Sequence, residues 1–430
     1  MSGPLELEDI QGLVARGYPD LRAAAFLVLE VADAAPARRW LGSIAKAVTT
    51  GHQRPTHRAV NVAVTASGLS RLGLPADVLA GFSTEFRQGM PEPSRARVLG
   101  DVDASSPATW SWGGPDGRPV HLLLLLYGRG PAELDALLAE HGSAPGLHVL
   151  AHLDTVDLGV HEHFGFHDGI SQPIVEGLSK KAPAASTIRA GEFVLGYPNE
   201  YGQPSSAPAF GRNGTYLVFR QLEQDVEGFW RYCQEATCDH AGGEASVALA
   251  ARMVGRWPSG APLVLSPDRD DPALAGANDF GYLPRDPYGE RCPIGAHIRR
   301  TNPRDSLDPI HGAPRSDAAT RRHRILRRGR SYGTDGSRRG LNFICLNANL
   351  SRQFEFIQRS WINNPHFGGL YDDADPLTAP HGPAGGTFTV QGSPARRRYA
   401  NLPRFVTMRG GAYFLLPGVR ALSELSAAAG

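Results

Sequence analysis

Cysteine is scarce in this chain: Cys233, Cys238, Cys292 and Cys345 are the only four in 430 residues. That density is too low for a disulfide framework. Charge imbalance is also missing. Lys plus Arg number 44 and Asp plus Glu 43, so the sequence lacks the basic excess that draws proteins to nucleic acid or anionic lipid. A small molecule or a protein is then the default partner, and neither nucleic acid nor membrane is expected. No run approaches the roughly 18 apolar residues of a membrane span; the longest candidate, 120–127, has strand length and contains His121. The opening MSGPLELEDIQGLVARG shows no basic segment leading into an apolar one and no twin arginine, which reads as a soluble, cytoplasmic protein. Missing too are a G-x-S-x-G element, a phosphate loop and a dinucleotide fingerprint in strand context, which removes support for hydrolase, NTPase and nicotinamide chemistry.

What is abundant is glycine (50) and proline (34), about a fifth of the chain against a usual share of roughly 12 %. The excess predicts long connections between elements, where sites tend to sit. Strand and helix patterns alternate early on. Strands are predicted over 24–31, 59–65, 120–127 and about 146–155, with helices over 35–48, from 67 to 72 and over 131–141. The later half repeats the order: strand 215–222 with helix 225–235, then strand 341–347 with helix 351–361. This predicts an α+β fold of two related ferredoxin-like units, each an antiparallel sheet with helices on one face. The units are expected to cover 1–180 and 187–430, joined by an exposed linker at 175–186. Residues 263–324 show little periodicity, and a stretch that long inside a compact protein points to a functional region.

Three constellations could carry chemistry. The first is HEHFGFHDGISQP (161–173), where Gly165 and Gly169 flank Asp168; glycines let the backbone approach a flat ligand, though taken alone the element reads first as a plain Gly-Asp-Gly turn. The second is CPIGAHIRRTNPRD (292–305). A Pro/Gly-constrained turn fixes the His297 imidazole as a metal ligand requires, and the arginines after it could pair with a cofactor's carboxylates. A packed or surface histidine is the competing reading. The third, RRHRILRRGRSYG (321–333), has arginine at six of its first ten positions and reads as a basic patch or a solvated charged loop. His161-Glu162-His163 is not the zinc-protease pattern, and Cys233, Cys238 and His240 form one weak cluster.

Taken together, the three constellations resemble the dye-decolorizing peroxidase family. The resemblance runs through LEDIQGLVARG (7–17), FRQGM (86–90), VLGDVDASSPATWSW (98–112), GEFVLGYP (191–198), NGTYLVFRQLEQDV (213–226) and GLNFICLNANLSRQFEFIQ (340–358). It implies a dimeric α+β barrel type of fold with one haem b per chain held between the units. It implies reduction of hydrogen peroxide and oxidation of small organic donors such as dyes and phenols, by way of a high-valent iron species. The iron ligand of the family matches His297, the Asp of its G-x-x-D-G motif matches Asp168, and its distal arginine matches Arg327, with neighbouring Arg328 as the rival. Asp375, in DDADP, matches the carboxylate behind the ligand histidine, with a turn before Pro376 as the competing reading. Tyr332 stands where some relatives carry an oxidisable tyrosine. Phe166, His167, Gly169, Ile170, Ser171, Gln172 and Arg299, with Phe343, Ile344 and Leu346, are the expected cofactor neighbours. In the strand 341–347, side-chain alternation puts Ile344 and Leu346 on one face as an apolar distal wall and turns Phe343 the other way. His167 departs from the pattern, since many relatives carry arginine there.

A haem-binding or iron-handling protein of the same fold, with little turnover, is the second reading. The juxtaposition of Asp168 and Arg327 beside the iron would favour the peroxidase. A nucleic-acid module built on the arginines 321–339 is the third, against which near-zero net charge argues. A homodimer or larger homo-oligomer is compatible with an enzyme of this size.

Overall fold

Thirteen strands and their helices are seen in the computed structural model, which describes residues 3–178, 187–240, 242–307 and 313–428. The strands are β1 (Ala23–Val31), β2 (Arg58–Val64), β3 (Leu122–Gly128), β4 (Leu147–Asp154), β5 (Ile174–Val175), β6 (Thr187–Ile188), β7 (Thr215–Gln224), β8 (Leu326–Arg327), β9 (Arg330–Tyr332), β10 (Gly340–Asn347), β11 (Gly386–Val390), β12 (Arg397–Leu402) and β13 (Val406–Leu416). Nine of them form one sheet in the order β4-β1-β3-β2-β13-β7-β10-β8, with β9 also on β10. Counted within each half, with β8 and β9 taken as one interrupted strand on β10, the order is fourth-first-third-second twice over. Helices Ala34–Ala47 and Pro131–His141 connect the first half; Val226–Thr237 and the run 351–362 connect the second. That is the βαββαβ order of a ferredoxin-like unit, repeated. The halves meet where Leu415 of β13 faces Val64 of β2.

Local chemistry explains the elements. Helix Ala34–Ala47 begins where the Asp33 side chain accepts the Ala35 N–H at 3.0 Å, and it buries Ala37, Trp40, Leu41, Ile44 and Ala45 at three- and four-residue spacing. Helix Pro131–His141 starts with proline in its first turn, where no N–H is needed. Strand β3 is buried at all seven positions, because both of its faces are covered. The sheet curls enough that Phe26 on β1 meets Phe219 on β7, with ring centroids 5.8 Å apart, although three strands separate them in sheet order. Inside the curl lies a core with Phe26, Tyr127, Leu217, Phe219, Ile344 and Leu346; the helices cover a second core with Trp40, Leu69, Leu124 and Leu422.

Two expectations are revised. The segment 351–361 is helical but wound wide, as π-helix over Ser351–Glu355 and Ile357–Ile362. Ile344 and Leu346 belong to the interior of the curl: they pair with Phe219 and Leu217. Phe343 and Leu341 occupy the other face, opposite Arg220 and Leu222. Alternation correctly grouped Ile344 with Leu346, but it does not say which face is the core. The greater part of the predicted linker, 179–186, lies outside the described residues.

Candidate active site

A cavity of about 300 Å³ opens on that other face of β7 and β10. Its wall includes Phe166, His167, Asp168, Gly169, Ile170 and Ser171 from the first constellation, His297 from the second, and Arg324 and Arg327 from the third. Segments more than a hundred residues apart in sequence therefore share one space.

Asp168 sits on a turn whose glycines have φ values that only glycine adopts easily, +93° at Gly165 and +82° at Gly169. A side chain added at Gly169 would meet no atom within 4 Å, so the turn leaves open space on the cavity side. The Asp168 N–H donates to Val160 O at 2.9 Å. Its carboxylate receives the Gly169 N–H at 2.6 Å and an Arg327 N–H at 2.9 Å. The side chain is 41 % accessible, but the surface it shows is cavity wall. Burial pushes the carboxyl upward; the Arg327 charge and the two hydrogen bonds outweigh it, and the net effect holds Asp168 below the usual carboxylate range. Arg327 is oriented in turn, because its backbone N–H donates to Gln172 Oε1 at 3.0 Å. Gln172 thus braces the arginine and is not itself on the cavity wall.

His297 opens the short helix His297–Thr301. Its Nδ1 lies 2.8 Å from Asp375 Oδ2, and Nε2 makes no hydrogen bond among the described residues. Asp375 is fully buried; its other oxygen accepts the Leu377 and Thr378 N–H groups at 3.0 and 2.9 Å and the Thr378 hydroxyl at 3.1 Å. Asp375 both starts a turn and meets the imidazole. Burial works against its charge, yet His297 and these donors hold the carboxyl at about 2. Arg300, fully buried, fastens the two segments: it donates to Trp361 O at 2.7 Å, to Asn364 O at 3.0 Å and to Asp373 O.

Arg299 is placed differently from expectation. Its guanidinium is buried against Asp286 Oδ2 at 2.9 Å and Cys292 O at 2.7 Å, over the Tyr282 ring, and is not on the cavity wall. On a helix the side chains of successive residues diverge by about 100°, so neighbours of His297 need not face what it faces. The arginines that do line the cavity are Arg220, Arg256, Arg304, Arg324, Arg327 and Arg404. Among the described residues Arg256, Arg304 and Arg324 have no carboxylate within 4.0 Å. Burial pushes Arg256 and Arg324 down to about 10 and lowers Arg304 too. Asn302 Oδ1, also on the wall, is buried without a hydrogen-bond partner among the described residues. Arg304 and Arg324 stand in the second and third motifs; nothing in the sequence around Arg256 singles it out.

The basic stretch is spent on internal ties. None of residues 321–330 is exposed. Arg328, the rival of Arg327, turns away from the cavity and donates to Leu13 O at 2.7 Å and Val14 O at 3.0 Å. Arg330 donates to Tyr18 O at 2.7 Å. Tyr332 is partly buried off the cavity, with its carbonyl 2.8 Å from His163 Nε2.

An α+β scaffold closing a largely apolar cavity around an imidazole–carboxylate pair and a carboxylate–guanidinium pair has the equipment of an enzyme. Comparison with known proteins makes this specific. The family model for the C-terminal part of Dyp-type peroxidases matches residues 164–393. A dye-decolorizing peroxidase of Mycena epipterygia is 33% identical over 99% of this chain and 88% of its own length. Among solved structures, an ancestral D-type dye decolorizing peroxidase superposes with a TM-score of 0.84 at 29% identity, covering 99% of this chain and all of its own. A dye-decolorizing peroxidase described for engineering of its heme pocket gives 0.83 at 28% identity, over 98% and 100%. The chain belongs to the dye-decolorizing peroxidase family. It is thus an oxidoreductase that uses a peroxide, from a family of haem-binding enzymes.

Proposed function

We propose that this chain reduces hydrogen peroxide at a haem b iron held by His297, with Asp168 and Arg327 as the catalytic pair, and oxidises organic donors such as dyes and phenols. The single observation that carries this reading is the Asp168–Arg327 pair, 2.9 Å apart, on the wall of the cavity that also exposes His297. The residues fit the group. An imidazole with one nitrogen bonded to a buried carboxylate and the other free suits an iron ligand. Three arginines without acid partners among the described residues suit a ligand that brings its own carboxylates. The open side of Gly169 leaves room for a flat ring.

Bound haem supplies the redox chemistry; the protein supplies position, charge and proton transfer. Asp168, ionised at neutral pH, accepts a proton from one peroxide oxygen and returns it to the other, directly or through water. Arg327 cannot deprotonate in practice, so it offers N–H donors and fixed charge where negative charge develops. Asp375 keeps the proton of His297 on Nδ1 and makes the opposite nitrogen a better donor. Tyr332 is proposed as a site of donor oxidation away from the cavity.

The test is spectroscopic. The purified protein is expected to show a Soret band that changes on adding peroxide. Asp168→Asn and Arg327→Leu should keep the band but slow the change about 100-fold or more. Parent-like rates in both variants would remove the catalytic pair from the mechanism. A Soret band with no response to peroxide would favour haem binding without peroxidase turnover.

A further inference from the structure

Glu162 lies six residues before Asp168, within the first constellation, and its carboxylate holds three donors. Its Oε2 accepts the Phe164 N–H at 2.9 Å and the Gln224 amide at 2.7 Å, while Oε1 accepts the Phe166 N–H at 3.0 Å. The backbone closes the same ring: Glu162 N–H donates to Phe166 O at 3.0 Å and Gly165 N–H to Glu162 O at 2.8 Å. Phe164 and Phe166 are then pinned in a core with Phe229 and Trp257. His167 N–H donates to Pro258 O at 3.1 Å, and Asp168 follows. Gln224 ends β7, so the clasp anchors the turn to the sheet that carries Arg220 and Leu222 on the cavity wall.

A carboxylate is a costly way to hold a turn. Glu162 has no cation within ion-pair distance among the described residues, and burial pushes its carboxyl upward. What it provides is two oxygens able to take several N–H donors from one turn, which a neutral side chain of that size cannot do. Two of the three donors it fixes belong to the backbone leading directly into Asp168.

We propose that Glu162 is a positioning residue: it clasps the turn 162–166 to β7 and thereby sets where Asp168 stands relative to Arg327. The proposal rests on the catalytic pair named above. A displacement of about 1 Å in a reacting group is enough to cost about 100-fold in rate, and the clasp is what prevents it.

The experiment is a double-mutant cycle on the haem-loaded protein, reading the rate of the peroxide-induced Soret change. Glu162→Ala is expected to slow it about 10- to 100-fold. Glu162→Gln should slow it less, because its one oxygen still accepts from the turn and, with the Gln224 amide turned over, its NH2 can donate to Gln224 Oε1, which has no partner among the described residues. In the Asp168→Asn background, Glu162→Ala should add less than about twofold, since the two residues act through one path. The KM for the organic donor should stay at the parent value. A Glu162→Ala protein that reacts at the parent rate, or that slows Asp168→Asn by its full factor, overturns the proposal. Amide hydrogen exchange of 160–172 in the haem-free protein gives a reading independent of turnover: faster exchange is expected in Glu162→Ala and in Gln224→Leu, and unchanged protection in both overturns the clasp. Failure of Asp168→Asn to slow the peroxide reaction would instead count against the catalytic pair itself.

Discussion

Asp168 is pulled in two directions, and the balance has a measurable consequence. Its folded pKa is depressed, so it contributes stability that is fully present above the ordinary value of about 3.9 and lost as pH falls through the lower folded value. The deprotonated form therefore survives into acid. Peroxide reactivity is expected to persist below pH ~4, provided the fold does. In Arg327→Leu the desolvation of Asp168 is left unopposed by its nearest cation, so the acid limb of the residual rate should move to higher pH; a limb that stays in place would mean Arg327 does not govern this carboxyl. His297→Ala removes the free imidazole nitrogen and should lower haem retention at least tenfold, read as the Soret-to-protein absorbance ratio after gel filtration. Asp375→Asn keeps a hydrogen-bond acceptor but deletes the charge, and should raise the haem reduction potential in a spectroelectrochemical titration. At this scale the sequence was informative where a motif concentrates unusual residues, as around Asp168, His297 and Arg327. It was not informative for Glu162 and Gln224, whose contact spans 62 positions, or for Arg256, which is tied to Gly260 O and Ala277 O within a segment that carries no motif. Arg299 shows that adjacency to His297 in sequence is not adjacency in space, because its guanidinium turns to Asp286.

Among the elements, the run 351–362 depends on its neighbours most clearly. Glu192, fully buried, takes two hydrogen bonds from Arg352, at 3.1 and 2.7 Å, and its backbone carbonyl receives the Gln353 amide at 2.9 Å. Glu192→Gln removes the charge that compensates Arg352 and is expected to destabilise the fold by about 3 kcal/mol, seen as a lower denaturant midpoint with unchanged slope. Periodicity located this run as a helix, but π winding depends on tertiary packing and leaves no local signal. Strand β13 escaped notice altogether, although it is among the longest. Arg409, Gly410 and Gly411 interrupt its apolar pattern, and the register shifts between Met408 and Gly410. The glycine is there for space: a side chain at Gly410 would come within 2.5 Å of Trp112 Nε1. A bulge that accommodates a distant tryptophan cannot be anticipated from eleven residues.

Across the whole molecule, the fourth-first-third-second strand order occurs twice in one sheet, and the repeat was visible beforehand only as a recurring order of elements. The division at 1–180 and 187–430 remains a proposal, and it would be a division of topology more than of stability. Both main cores draw on both halves; Phe26 and Phe219, or Leu124 and Tyr413, belong to the same clusters. A single calorimetric transition is therefore expected for the haem-free protein. Two resolved transitions would show the halves to be independent. Arg328 adds a constraint in time. It donates to Leu13 O, 315 positions earlier in the chain, and it adjoins the arginine that faces Asp168. During synthesis the stretch around residue 13 leaves the ribosome long before its guanidinium partners exist. The cavity wall, which extends to Met408, is complete only when nearly the entire polypeptide has been made.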